Sequence, residues 1–238
     1  MTLADILASL APQGASREGT LLLATSALPD GRPLHILGAV EGAPIGVDEA
    51  LRLSAHVLAL ARQPEPGVIL FLVDTSSQRM SRRDELLGLN EYLAHLAKSL
   101  LLARHAGHRT IGLLYGGSAA GAFIATALAC DTLVALPGAR PEVMDLPSMA
   151  RVTKLPIAVL EEKAKATPVF APGVDNLAKM GAIAQVWDPA RPLIGQLAQL
   201  LSTPAMTDLR AEQGALREGR LKAQVLTQRV VQDLTAQA

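Results

Sequence analysis

The sequence predicts an α/β fold built on a parallel sheet, and three of its features do so. Val68–Val73 is a run of six apolar residues without alternation, as in a strand covered on both faces. From Val68 to Leu136 the pattern runs strand, helix, strand, helix, strand, the crossover order of parallel strands. Between the first two strands, Leu86, Leu89, Leu93, Leu96 and Leu100 recur at spacings of three and four, giving one apolar helix face to lay on that sheet.

The elements follow in order. Leu3, Ile6, Leu7 and Leu10 repeat at helical spacing, and Pro12 with Gly14 ends that helix. Thr20–Ala27 reads as a strand that turns at Asp30-Gly31 into a returning partner, Leu34–Val40. Gly46 and Asp48 precede a helix through Leu51, Ala55, Leu58 and Ala59, which stops before Pro64 and Pro66. Ser81 with Asp84 and Glu85 has the pattern of a helix start, so one helix is expected from there through Leu100 to near Gly107. Thr110–Tyr115 is a second buried strand, Ser118–Ala129 a helix of small residues, and Thr132–Leu136 a third strand stopped by Pro137-Gly138. The second half reads as short helical pieces broken by Pro147, Pro156, Pro168 and Pro172, with one more strand at Ala182–Trp187. Leu216, Val225, Leu226, Val230 and Leu234 predict a long amphipathic helix from about residue 207 onward. Residues 1–238 are thus expected to form one domain with a helical extension over about 207–238.

Composition narrows the function classes. In 238 residues, 22 Lys and Arg balance 22 Asp and Glu, which argues against nucleic acid or an anionic membrane as the main partner. Aromatics are only 3%, too few for a platform on which bases stack. Cys130 is the single cysteine, so neither an intrachain disulfide nor a thiolate metal site is expected. His35, His56, His95, His105 and His108 share no ligand spacing with acidic residues, and no metal is expected either. No apolar run reaches the roughly 20 residues of a membrane span, and Met1–Asp5 lacks the basic start of a signal peptide. The expected location is the cytoplasm.

Ligands of parallel α/β sheets gather at the carboxyl ends of the strands. Two such ends carry polar or glycine-rich turns here: Asp74-Thr75-Ser76-Ser77-Gln78, and Tyr115-Gly116-Gly117-Ser118-Ala119-Ala120-Gly121. Paired glycines allow a sharp turn whose N–H groups point outward, and a helix start behind them adds partial positive charge. Gly116, Gly117 and Ser118 are therefore candidates for holding a negative oxygen, with Ala119 and Gly121 lining the same place. No Gly-Lys-Ser/Thr follows and G-x-G-x-x-G is not matched, which favours an oxyanion over a phosphate. The alternative is structural: Gly117 and Gly121, four apart, let a small-residue helix pack tightly. Ser118 reads as a helix N-cap rather than a nucleophile, because no histidine follows Asp131 and the G-x-S-x-G elbow is absent. Thr75, Ser76, Ser77 and Gln78 form either an ordinary turn or a second set of donors aimed at the same pocket. Arg79, Arg82 and Arg83 beside them suit a carboxylate or phosphate, or simply a solvated helix face.

Tyr115-Gly116-Gly117-Ser118-Ala119-Ala120-Gly121-Ala122-Phe123 resembles the oxyanion turn of the crotonase and Clp-protease superfamily. Further likenesses lie in Val73–Arg79, Ser81–Gly88, Pro147–Arg151, Glu161–Thr167 and Leu177–Ile183. Taken in order, residues from about 20 to 235 resemble the gamma subunit of the biotin-independent malonate decarboxylases. A Clp-type protease places its nucleophile where Ala119 stands here, and Met144 and Asp145 follow the next strand where its histidine would be, so peptide hydrolysis is excluded. The resemblance implies a crotonase-type fold, and decarboxylation of a malonyl thioester to an acetyl thioester and CO2. It also implies a beta subunit of related fold sharing the site, an acyl-carrier subunit with a phosphoribosyl-dephospho-CoA arm, and a separate acyl transferase subunit. No cofactor bound directly to this chain is implied. Arg79, Arg82 and Arg83 become candidates for meeting the carrier arm. Carboxyl transfer from biotin, or a non-catalytic role completing the partner's pocket, are the rival readings.

Overall fold

The computed structural model describes residues 1–168, 171–203 and 208–236. Its elements begin with α1 (Leu3–Leu10), β1 (Ser16–Glu18), β2 (Leu21–Ala27), β3 (Pro33–Gly42), α2 (Val47–Ala61) and β4 (Val68–Thr75). They continue with α3 (Arg82–Leu86), α4 (Leu89–His105), β5 (Arg109–Leu114), β6 (Gly117–Ala119), α5 (Ala120–Ala125), β7 (Thr132–Ala135) and β8 (Arg140–Glu142). The last are α6 (Leu146–Thr153), α7 (Ile157–Ala166), α8 (Val174–Lys179), β9 (Gln185–Val186), α9 (Leu193–Leu201), α10 (Arg210–Leu216) and α11 (Leu221–Thr235).

A seven-stranded sheet in the order β1-β2-β3-β4-β5-β7-β9 forms the frame. The β1–β3 edge is antiparallel, and every pair from β3 to β9 is parallel. The apolar run in β4 is buried on both sides, as its lack of alternation predicts. Ile69, Phe71 and Val73 pack with residues of α2, α4, α5 and α8, while Val68, Leu70 and Leu72 pack with α1 and α9. A parallel pair, β6 with β8, stands apart from the main sheet.

The structure corrects the sequence reading in four places. The helix expected from Ser81 to Gly107 is two helices, because Gly88 adopts φ 79 between them, and Leu86 is left 76% exposed. Ser81 does cap the first, its hydroxyl accepting the Asp84 N–H. The helix expected over Ser118–Ala129 shrinks to the six residues of α5, since pairing with β8 draws Gly117–Ala119 into a strand. In α2 the inward face is Val47, Ala50, Leu53, Ser54 and Val57, whereas Leu51 points out. Ser54 hides this face in the sequence; its hydroxyl is satisfied within the helix by the Ala50 carbonyl. The C-terminal extension is also two helices, broken at Arg217–Arg220, and both ends of the expected range lie outside the described residues. No residue of α11 is buried.

At the amino ends of the parallel strands, opposite the polar turns, lie two imidazoles. The Gly67 N–H donates to His108 Nδ1 at 3.1 Å, so the neutral ring carries its proton on Nε2. Neither His108 Nε2 nor His35 Nε2 finds a hydrogen-bond partner. Burial, and then the neighbouring His108, hold the His35 ring below the usual histidine range. The unfolded chain, with His35 near 6.5, therefore binds its proton at higher pH than the folded one does. Stability from this position is complete above about 6.5 and falls as the pH drops toward the lower folded value. Urea midpoints measured at pH 7.5 and 5.5 should separate further for the wild type than for His35→Gln. Equal separations would show that His35 does not carry the effect.

Candidate active site

The register Val73↔Leu114 sets the carboxyl ends of β4 and β5 side by side, bringing Asp74–Gln78 against Tyr115–Gly121. Asp74 reaches across the gap, and its Oδ1 accepts the Gly117 N–H at 2.8 Å. The carboxylate lies directly over Gly116, where an added Cβ would fall 2.1 Å from Oδ1. Gln78 makes a second tie, its Oε1 accepting the Gly121 N–H at 2.9 Å. On the far side the Gly116 carbonyl accepts the Arg140 N–H at 2.8 Å, which starts the β6–β8 pair. The turn is thus clamped from both flanks by this chain's own groups.

That clamp changes the roles expected of several residues. The Gly117 N–H points not outward to a ligand but to Asp74, so an external oxygen would have to displace a carboxylate to reach it. Ser118 is not a helix N-cap: it lies in β6, 1% exposed, with Oγ unpartnered, and Ala119 takes the cap position without a side-chain bond. Only six residues of helix follow, so the dipole behind the turn is small. Ala120 opens that helix at φ 51, a left-handed conformation unusual for alanine.

The loop after β4 is fixed equally firmly. The Ile45 N–H donates to the Ser77 carbonyl at 3.0 Å, and the Arg79 N–H donates back to Ile45 at 2.8 Å. Thr75 is fully buried with its hydroxyl unpartnered, Ser76 is exposed, and the Ser77 hydroxyl turns to the Gln78 carbonyl. Two of the three arginines are committed to acids of α2: Arg79 pairs with Glu49 at 2.7 Å and Arg83 with Asp48 at 2.9 Å. Arg82 makes no ion pair among the described residues and stays exposed. Buried Asp84 accepts the Val47 N–H and the Ser81 hydroxyl, and those bonds hold its carboxyl below the usual range.

Two groups beside the turn were not anticipated. Tyr115 has a buried, unpartnered hydroxyl, which burial and then Asp74 push well above the usual tyrosine range. Glu142 pairs in register with Ala119, and burial followed by the nearby Asp145 raises its carboxyl above the ordinary value. The sequence places Tyr115 at the start of the turn but not its buried hydroxyl, and Glu142 acquires its neighbour only through the β6–β8 pairing. On the segments that flank the turn, Met80 after the Asp74–Gln78 loop, Ile124 in α5 and Val143 after β8 are 78%, 50% and 48% exposed.

The family model for the malonate decarboxylase gamma subunit, MdcE, matches residues 40–234. A Pseudomonas malonate decarboxylase hetero-tetramer in complex with coenzyme A is 28% identical at a TM-score of 0.80, covering 97% of this chain and 98% of that one. A Pseudomonas MdcD-MdcE hetero-dimer gives 28% identity and a TM-score of 0.75 over the same shares. The transcarboxylase 12S core shares the fold at 17% identity and a TM-score of 0.69, over 84% of this chain and 41% of that one. In sequence, the malonyl-S-ACP:biotin-protein carboxyltransferase MADD of Malonomonas rubra is 30% identical over 151 residues, 60% of this chain. The match spans about half that protein's length, 52%.

Proposed function

The chain belongs to the malonate decarboxylase gamma subunit family, and from that premise we propose that it forms half of a decarboxylase site shared with a beta subunit of related fold. The pair acts in the cytoplasm on malonyl carried as a thioester on the phosphoribosyl-dephospho-CoA arm of an acyl-carrier subunit. A separate acyl transferase subunit loads that carrier. Loss of CO2 leaves an electron pair delocalised onto the thioester oxygen, and N–H groups aimed at that oxygen supply the main stabilisation. The products are the acetyl thioester and CO2.

The observation that carries this reading is the clamped turn at the strand ends, flanked in the chain by segments that leave large apolar side chains exposed. Large apolar groups left in water suit a subunit interface, and α6, which carries the 69% exposed Val152, has no buried residue. Gly116, Gly117, Ser118, Ala119 and Gly121 with the Thr75–Gln78 loop then form one wall of the shared site. Asp74 already occupies the Gly117 N–H, so holding the enolate oxygen falls to the partner's equivalent turn. Arg82, which makes no ion pair among the described residues, is the arginine of the three left for the carrier arm. The chain alone should release no CO2 from the malonyl thioester, and adding the beta subunit should restore release. Turnover by the isolated chain at the rate of the pair would contradict a shared site.

One rival has an observation of its own. The similarity to the Malonomonas rubra carboxyltransferase favours transfer of the carboxyl group to a biotin-bearing protein in place of its release.

A further inference from the structure

Decarboxylation leaves an enolate carbon that must gain a proton, and the turn itself, Gly116–Gly121, offers no acid. The β6–β8 pair brings one beside it. In β6 the burial alternates, with Ser118 turned inward and Gly117 and Ala119 partly open; in β8 Pro141 is turned inward and Glu142 partly open. Ala119 and Glu142 are register partners, so their side chains rise from the same face on strands roughly 4.8 Å apart. Among the described residues the Glu142 carboxyl makes no hydrogen bond and no ion pair. That carboxyl is part-buried and uncommitted, on the face it shares with Ala119, and so is available to a ligand held at the turn.

We propose that Glu142 is the general acid of the reaction, delivering the proton to the enolate carbon from this chain's wall of the shared site. The proposal rests on the decarboxylase reading above. The bond between the carbon next to the thioester and the malonyl carboxyl breaks, its electron pair passes into the enolate, and CO2 departs. The enolate carbon then takes the Glu142 proton, the thioester carbonyl reforms, and Glu142 remains as a carboxylate that recovers a proton from water. Its environment moves the carboxyl toward the acid form relative to an ordinary glutamate. Burial acts first, Asp145 close by in the chain adds like charge, and Arg140 opposes them. Of the elements packed against β8, β6 and α5 carry no titratable side chain, while α8 carries Asp175 and Lys179.

The test uses the assembled beta–gamma complex with malonyl thioester on its carrier, comparing wild type, Glu142→Gln and Glu142→Asp. Two readouts accompany CO2 release: the pH–rate profile, and exchange of deuterium from heavy water into the methyl group of the acetyl thioester, which is the proton transfer run backwards. Glu142→Gln should lower kcat about 100-fold with KM nearly unchanged, the usual scale for losing an acid–base group. It should also flatten the alkaline fall in rate and abolish exchange. Glu142→Asp should keep measurable exchange at a reduced rate. Wild-type exchange and an unchanged alkaline limb in Glu142→Gln would overturn the assignment. A wild-type complex that releases no CO2 from the thioester would instead refute the decarboxylase reading.

Discussion

Replacing Gly116 by alanine is expected to cost about 3 kcal/mol of stability and to remove decarboxylation by the assembled complex. The added Cβ would lie 2.1 Å from Asp74 Oδ1 and 2.2 Å from its Cγ, far inside contact distance. Asp74 would have to swing away, and the Gly117 N–H would lose a charge-assisted bond, a loss worth roughly 1.5–3 kcal/mol. The consequence reaches further, because Gly116 also anchors Arg140 and so the β6–β8 pair that places Glu142. Gly117→Ala should be much milder: its Cβ meets the Thr75 carbonyl at 3.1 Å, which a small shift relieves. Urea midpoints and CO2 release measured on the two variants should rank them in that order. Wild-type turnover in Gly116→Ala would show that the Asp74 clamp does not shape the site.

The second large effect is expected where α10 meets the end of α8. Gly181 adopts φ 85, and a Cβ there would fall 2.0 Å from the Arg210 carbonyl and 2.6 Å from the Gly214 nitrogen. A Cβ added at Gly214 or at Gly219 would likewise fall 2.4 Å from the Met180 carbonyl oxygen or 2.2 Å from that of Lys179. α10 is therefore seated backbone against backbone, with Arg217 donating to the carbonyls of Ala178, Ile183 and Ala184 as a side-chain fastener. Gly181→Ala combines the cost of a left-handed conformation with overpacking, together about 2–5 kcal/mol. It should release the C-terminal helices to limited proteolysis while the rest of the fold persists. Gly195→Ala, whose Cβ would meet nothing within 4 Å, serves as the control and should change nothing. A Gly181→Ala protein as resistant as wild type would mean that α10 is held by other contacts.

These glycines show what the sequence did and did not disclose. The sheet was legible because burial on both faces leaves a mark in composition, as in Val68–Val73, and because strand and helix periods alternate. The two loops of the candidate site stand out for a related reason: polar and glycine-rich residues follow wholly apolar strands at Asp74–Gln78 and Gly116–Gly121. The clamp was not legible. Asp74 and Gly117 are 43 residues apart, and only the Val73↔Leu114 register makes them neighbours. A glycine that frees an N–H for a ligand and a glycine that admits a neighbouring carboxylate look alike in one dimension. The same holds for Ser118, whose pattern suits a helix cap until strand pairing with β8 claims it. Arg79 and Arg83 likewise appear free until Glu49 and Asp48 arrive from α2.

In the proposed division of labour the partner's turn holds the thioester oxygen, and this chain's clamped wall supplies shape and a proton. It requires no carboxyl carrier between substrate and CO2. The most direct measurement is CO2 release from malonyl thioester by the complete beta–gamma complex with its carrier, with and without saturating avidin. Release should proceed at the same rate in both, with acetyl thioester forming in equal amount. Release abolished by avidin, or dependent on an added biotinylated acceptor, would contradict direct decarboxylation and place the chain with the biotin-linked carboxyltransferases.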